Sequence, residues 1–370
     1  MSTTLAIYIT RRFALEIMAM LAALSVLFVL FDFIELLRRA VSQPSATFRV
    51  LAEITALHVP YFALQLLPFA VLLGGISCFW RLNRTSELVV IRATGLSAWQ
   101  FLAAPVAAAV LMGGIATSAV SPISSACYNL AERLDDRYIR GTPQGPISLD
   151  SGEIWLRQDD AGLLPGGSAI LHGHDVGLID GRLVAGNVSL FRLDAEDRVI
   201  ERVEATNSVL YQGYWDLVNA HEIKPDRLPG PLIGHLPVRT DLTLARVQQS
   251  LASPDTLSVW ALPGFIKLME QAGFSSVRHR LHFQTLLALP LLAGTMALVA
   301  AGFSMRPTRR GGVARMLSGG VAAGFALYAF SNFAAKFGES GALPALLAAW
   351  APAAAGMLLA VTLLLHLEDG

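Results

Sequence analysis

Six stretches of the chain are apolar over about the length a helix needs to cross a bilayer, roughly 20 residues for ~30 Å of hydrocarbon. They cover 12–37, 57–80, 99–121, 282–303, 315–334 and 343–366, three before the middle of the chain and three after it. Pro60, Pro68 and Pro105 fall inside them, which membrane helices tolerate when neighbours re-satisfy the freed backbone groups. The first run, Phe13 to Phe33, follows Arg11 and Arg12 as a secretory signal would. It is too long for a signal h-region and lacks a small-residue cleavage site, so it reads as a retained span. Between the third and fourth runs the period changes. "GEIWLRQ", "GSAILHG", "RLVAGNVSLFRL", "RVIERVEATNSVLYQG" and "YWDLVNAHEI" alternate apolar and polar residues between Gly, Asp and Asn, the pattern of short antiparallel strands with one buried face. Regular turn spacing favours a sandwich or jelly roll over a closed barrel. From Asp255 to Gln271 the spacing is helical again, with Pro263 breaking or bending that helix. The pattern therefore predicts an α-helical integral membrane protein of six transmembrane helices with an inserted all-β, jelly-roll-like domain. Its parts are spans at 1–134, a β domain at 135–254, a connecting helix at 255–281 and spans at 282–370.

Composition supports the membrane assignment: 54% of the 370 residues are hydrophobic and 15% charged, against about a quarter charged in soluble domains. The net charge of zero conceals a partition, because residues 135–270 hold 19 acids against 12 bases and the remainder is correspondingly basic. Short loops orient a membrane protein by their arginines and lysines. The loop 81–98 carries Arg81, Arg84 and Arg92, and the loop 304–315 carries Arg306, Arg309, Arg310 and Arg315. Both are expected in the cytoplasm with both termini, which sends the β insert to the far side of the membrane. Cys78 and Cys127 lie in or near apolar spans and read as small apolar residues.

No residue pattern points to catalysis. A nucleotide-hydrolysing loop would end in a lysine after glycine, yet the three lysines, Lys224, Lys267 and Lys336, follow no glycine. Any ATP-driven work belongs to another chain. In "HGHD", His172 and His174 share one strand face with no third ligand nearby in sequence, so no metal site is expected.

Two other clusters stand out. "RLNRTSELVVIRATGLS", 81–97, contains a short helix of two to three turns at about 85–95: Thr85 or Ser86 can cap its start, Glu87 complements its positive end and Gly95 offers a left-handed stop. Such a helix is marginal alone in water and implies a docking surface. It rests either on lipid headgroups or in a protein groove, which Leu88, Val89 and Ile91 with small Ala93 and Gly95 suit. "FDFIELLRRA", 31–40, ends the first span in Arg38 and Arg39 on the side where positive charge is disfavoured. A guanidinium fork matches a phosphate. Alternatively, Glu35 pairs with Arg38 and Arg39 at i,i+3 and i,i+4 as a solvated surface arrangement.

"SELVVIRATGLS" between the second and third spans, "FDFIELLRRA" at the end of the first, and the order of three spans, β domain and three spans resemble the LptF/LptG permeases of lipopolysaccharide export, the YjgP/YjgQ family. The resemblance runs over essentially the whole chain and is nearer the LptG branch. It implies a permease subunit of an ABC-type exporter that draws lipopolysaccharide from the outer leaflet of the inner membrane. The implied partners are an LptF-like second permease, an LptB-like ATPase dimer that binds the ATP and Mg, and LptC-like and LptA-like periplasmic β proteins. Neither a cofactor on this chain nor nucleic acid is implied. Carried onto these residues, Arg84, Ser86, Glu87, Leu88, Val89, Ile91 and Gly95 couple to the ATPase, with Glu87 as the ion-pair partner. Arg38 and Arg39, with Glu35 beside them, meet the substrate phosphates. Where the family carries a lysine one turn earlier, this chain has Asp32, an acid that would repel phosphate. Arg133 and Arg137 after the third span and Arg278 and Arg280 before the fourth extend the basic set, as lipopolysaccharide contacts or as membrane-interface anchors. Phe325, Tyr328, Ser331 and Asn332 on the fifth span line a lateral opening or pack as core. Two other functional classes remain open. One is a membrane-anchored assembly factor whose β domain binds a protein; the other is an ion-coupled transporter, for which Glu16 is the main acid inside a span.

Overall fold

The computed structural model describes residues 3–41, 46–87, 90–91, 97–140, 148–150, 153–159, 168–179, 182–194, 198–224, 230–240, 243, 253–271, 274–304 and 313–368. Two compact units divide the chain: 1–139 with 255–262 and 277–370 form a helical unit, and 140–254 with 263–276 form a β unit.

The helical unit opens with α1 (Thr3–Ala40) and α2 (Phe48–Arg84), of 38 and 37 residues. At 1.5 Å per residue α1 extends ~57 Å, well beyond ~30 Å of hydrocarbon. The apolar count therefore found only its middle, and the polar ends continue as helix. The two helices pack intimately: a Cβ built on Gly74 would stand 2.7 Å from the Ile17 Cα, so only glycine permits that approach. Next comes α3 (Ala98–Ile115), started by a reciprocal cap in which Ser97 Oγ accepts from Gln100 N and Gln100 Oε1 accepts from Ser97 N.

Beyond α3 the backbone widens into a π-turn at Ala116–Val120 and then re-forms α4 (Ser121–Asp135), with a second π segment at Asp136–Arg140. Pro122 explains the first widening, since it has no N–H to give the Ser118 carbonyl one turn back. That carbonyl accepts instead from Trp260 Nε1 at 3.1 Å, and the Ser121 hydroxyl accepts from Val259 N at 3.3 Å. The short segment 255–262 is thus pinned onto the irregular part of the third span. The remaining long helices are α6 (Val277–Ser304), α7 (Val313–Glu339) and α8 (Ala345–Glu368), numbered after a short α5 (Leu262–Gln271). Among the described residues, five helices are long and apolar enough to cross a membrane: α1, α2, the composite 98–139 helix, α6 and α8. α7 is a further helix of 27 residues.

The β unit is one antiparallel sheet of seven strands in chain order: β1 (Ser148–Asp150), β2 (Glu153–Asp159), β3 (Ser168–Ile179), β4 (Arg182–Leu193), β5 (Val199–Tyr211), β6 (Tyr214–Ile223) and β7 (Ile233–Arg239). Every described strand pairs with its sequence neighbour, so the connectivity is a meander. The sheet nevertheless curls, with register shifts in β3–β4 and at Arg192/Leu193. Its two ends meet where the Thr240 hydroxyl donates to Gln158 Oε1 at 2.6 Å and Gln158 Nε2 donates to the Arg239 carbonyl at 3.3 Å. Trp215, Leu217, Val203, Leu190 and Leu171 fill the hollow. β7 escapes the alternation rule because Pro237 interrupts it; at a sheet edge that proline costs no ladder bond.

Two expectations need correction. Among the described residues the connecting segment 255–281 is not one helix: a 3-10 turn at Pro254–Thr256 precedes the α-helix Leu262–Gln271, and α6 already starts at Val277. Pro263 lies in the first turn of that helix, where its missing N–H has no intrahelical partner to lose, so it starts the helix instead of breaking it. Met269 and Phe274 then join the core of the sheet.

Candidate functional site

At the end of α2 the backbone turns sharply. Thr85 closes the helix, its hydroxyl oxygen lying 3.1 and 3.3 Å from the carbonyl oxygens of Arg81 and Leu82, and Ser86 takes φ of 57°, a left-handed conformation uncommon outside glycine. The Ser86 carbonyl then accepts from Val90 N at 3.2 Å, beginning a new helical turn that holds Glu87, Val90 and Ile91. Thr85 thus caps the end of α2, and Ser86 opens the next turn.

This geometry delivers the Glu87 carboxylate to α1. Arg12 Nη1 donates to both of its oxygens, at 3.0 and 3.2 Å, the Tyr8 hydroxyl donates at 3.3 Å and the Thr85 hydroxyl at 2.8 Å. Partial burial pushes the Glu87 carboxyl up, but the hydrogen bonds from Thr85 and Arg12, joined by the Arg12 charge, outweigh it and hold the group below its ordinary value. Ile91 is buried against the helical core of its own chain, whereas Val90 is exposed. Arg84 stacks its guanidinium 5.5 Å from the Trp80 ring. Leu88, Val89 and Gly95 lie outside the described residues.

At the other end of α1, Glu35 holds both neighbouring arginines. Arg38 forms a two-pronged pair with it, at 2.9 and 2.7 Å, and Arg39 Nε lies 3.2 Å away. Both guanidinium groups remain substantially exposed, so each keeps donors for a second acceptor. Asp32, one turn earlier, is turned toward α2, its Oδ2 2.8 Å from His58 Nδ1. The His58 ring in turn lies beside Tyr128 and Phe62. The acid that seemed set to repel phosphate is therefore occupied with an interhelical partner. Glu16 is likewise engaged, with Arg81 at 3.1 Å and the Ser77 hydroxyl at 3.1 Å.

The remaining candidates are dispersed. Arg133, Arg137, Arg278 and Arg280 are exposed, and Arg137 lies over the adjacent Tyr138 ring. Phe325 is exposed on α7, while Tyr328 meets Phe69 of α2 edge-on at 5.0 Å. In the β unit His172 stacks on Trp155 at 3.9 Å and touches His174 by its ring edge. Sequence reading missed Arg12, Tyr8 and His58 as members of these clusters. The i,i+4 spacing of Tyr8 and Arg12 was a usable signal; the Glu87 and Asp32 partners, on different helices, left none.

Set beside known proteins, residues 7–366 match the family model for "Lipopolysaccharide export system permease LptF/LptG". Among similar curated proteins are the lipopolysaccharide export system permease proteins LptG of two strains of Escherichia coli. Each is 21% identical over 318 residues, covering 84% of this chain and 84% of the relative.

Proposed function

Given that the chain belongs to the LptF/LptG family of lipopolysaccharide export permeases, we propose that it is one permease subunit of an ATP-driven exporter, coupled to its motor near Glu87 and meeting lipopolysaccharide near Arg38. The motor is an LptB-like ATPase dimer, an LptF-like chain completes the pore, and LptC-like and LptA-like β proteins receive the lipid. In this reading the Glu87 end of α1 and both termini face the cytoplasm, and the β unit lies in the periplasm.

The observation that supports the reading best is the continuity of α1. One unbroken helix carries the Arg12 contact to Glu87 at one end and the Arg38–Arg39 pair at the other. A displacement imposed on the short segment after α2 would act on α1 through a charge-assisted contact, and a helix transmits it along its length. At the far end, two exposed guanidinium groups suit a lipid phosphate. They do not need to recruit a new charge, because Glu35 holds their geometry and leaves donors over. Extraction exposes acyl chains at about 0.8 kcal/mol per methylene, so the cost falls if they pass directly from lipid into an apolar cavity and then an apolar β hollow. The partner ATPase supplies the remainder.

Reconstitution tests this. The purified complex in proteoliposomes is expected to release lipopolysaccharide to a soluble β acceptor only with ATP, and Glu87→Lys is expected to abolish ATPase association and release together. ATP-independent release, or full ATPase binding by a transport-competent Glu87→Lys variant, would contradict it.

A further inference from the structure

The helical unit contains a partly open cavity of about 300 Å3, within the size range of small-ligand sites. Its lining changes character along α6. His282 lies seven residues before Leu289, and Leu289 seven before Met296, so the wall passes from imidazole to hydrocarbon over ~21 Å of helix. At the polar end Asp255 presents its carboxylate 3.6 Å from His282 Nδ1, too far for a good hydrogen bond. Ser124 also lines the cavity and is only 3% exposed. No arginine or lysine lines the cavity among the described residues.

From these features we infer that the cavity binds a single-chain amphiphile with an ammonium head. Asp255 accepts from the head and balances its charge, Ser124 supplies a further hydrogen-bonding partner, and the alkyl tail lies along Leu289, Met296 and Leu327. An anionic head would meet the Asp255 carboxylate with no arginine or lysine to offset it, which costs heavily at low dielectric. The lipid phosphates assigned to the Arg38 end thus do not suit this cavity. The inference goes beyond the export reading and does not rest on it.

Photolabelling of the full chain in phosphatidylcholine nanodiscs tests it, using a long-chain alkylamine that carries a diazirine near the tail. Labelling is expected to map to peptides containing Leu289, Met296 or Leu327. Excess dodecylamine is expected to suppress it, while dodecanoate and dodecanol do not. Asp255→Asn should lower labelling at least tenfold. Ser124→Leu, which fills the cavity without touching the carboxylate, should lower it comparably while size-exclusion behaviour stays that of the parent. Equal competition by dodecanoate or dodecanol, labelling spread over the outer faces of the helices, or labelling unchanged in both variants would overturn the assignment.

Discussion

Arg12 and Glu87, 75 residues apart in sequence, form an ion pair of 3.0 Å that ties the start of α1 to the turn after α2. Neither side chain is more than a third exposed. The carboxylate that the family resemblance assigns to an ATPase contact therefore already has a partner in its own chain. A basic group arriving from an ATPase would share Glu87 with Arg12 or replace it.

If exchange is the mechanism, the two single variants differ. Arg12→Gln frees Glu87 and is expected to leave ATPase association intact or tighter while reducing lipopolysaccharide release per ATP hydrolysed. Glu87→Gln is expected to weaken association itself. Pull-down with the ATPase and release per phosphate produced separate the two outcomes. The pair's own contribution to folding, from a double-mutant cycle, should be at most about 1 kcal/mol.

The pH dependence of that contribution has a definite sign. Glu87 is held below its ordinary value in the folded chain. Its stabilisation is therefore fully present above the unfolded carboxyl value, ~4.3, and is lost as pH falls through the folded value. Melting curves of the parent and Glu87→Gln should differ at neutral pH and converge in acid below about pH 4.

Asp32 and His58 are both mostly buried and 2.8 Å apart. Removing one partner strands the other, so Asp32→Asn or His58→Ala should each destabilise the helical unit by about 1–3 kcal/mol. The double variant should cost less than the sum. Thermal unfolding in detergent checks this.

In the β unit, the sheet ends are joined through Gln158 and Thr240. Thr240→Val leaves the buried Gln158 amide without its donor, a loss of about 1–3 kcal/mol. Hydrogen exchange should accelerate in β2 and β7 while β4 and β5 remain protected.

What could be read in the sequence depended on the range of the interaction. Bilayer-length apolar runs and period-2 strands are local, and Glu35 with Arg38 and Arg39 is a contact within one helix, so spacing alone exposed it. The extension of α1 to Thr3 and of α2 back to Phe48 was hidden because polar helix ends leave no hydropathy signal. Pro122 was visible, but its consequence was not, since the rescue of the Ser118 carbonyl comes from Trp260 far along the chain. The Glu87 and Asp32 partners were obscured for the same reason: each lies on a different helix from its mate, and only packing brings them together.

The central claim is that the Arg38 end of α1 meets lipopolysaccharide while the Glu87 end meets the motor. A photoreactive amino acid placed at position 38, and separately at Phe325, in the complex during ATP turnover tests it most directly. The account predicts a lipopolysaccharide adduct at position 38 that depends on ATP and is lost when Arg39 is also replaced by alanine. Active transport with no adduct from either position, or capture only from Ile7 at the opposite end of the helix, would contradict it.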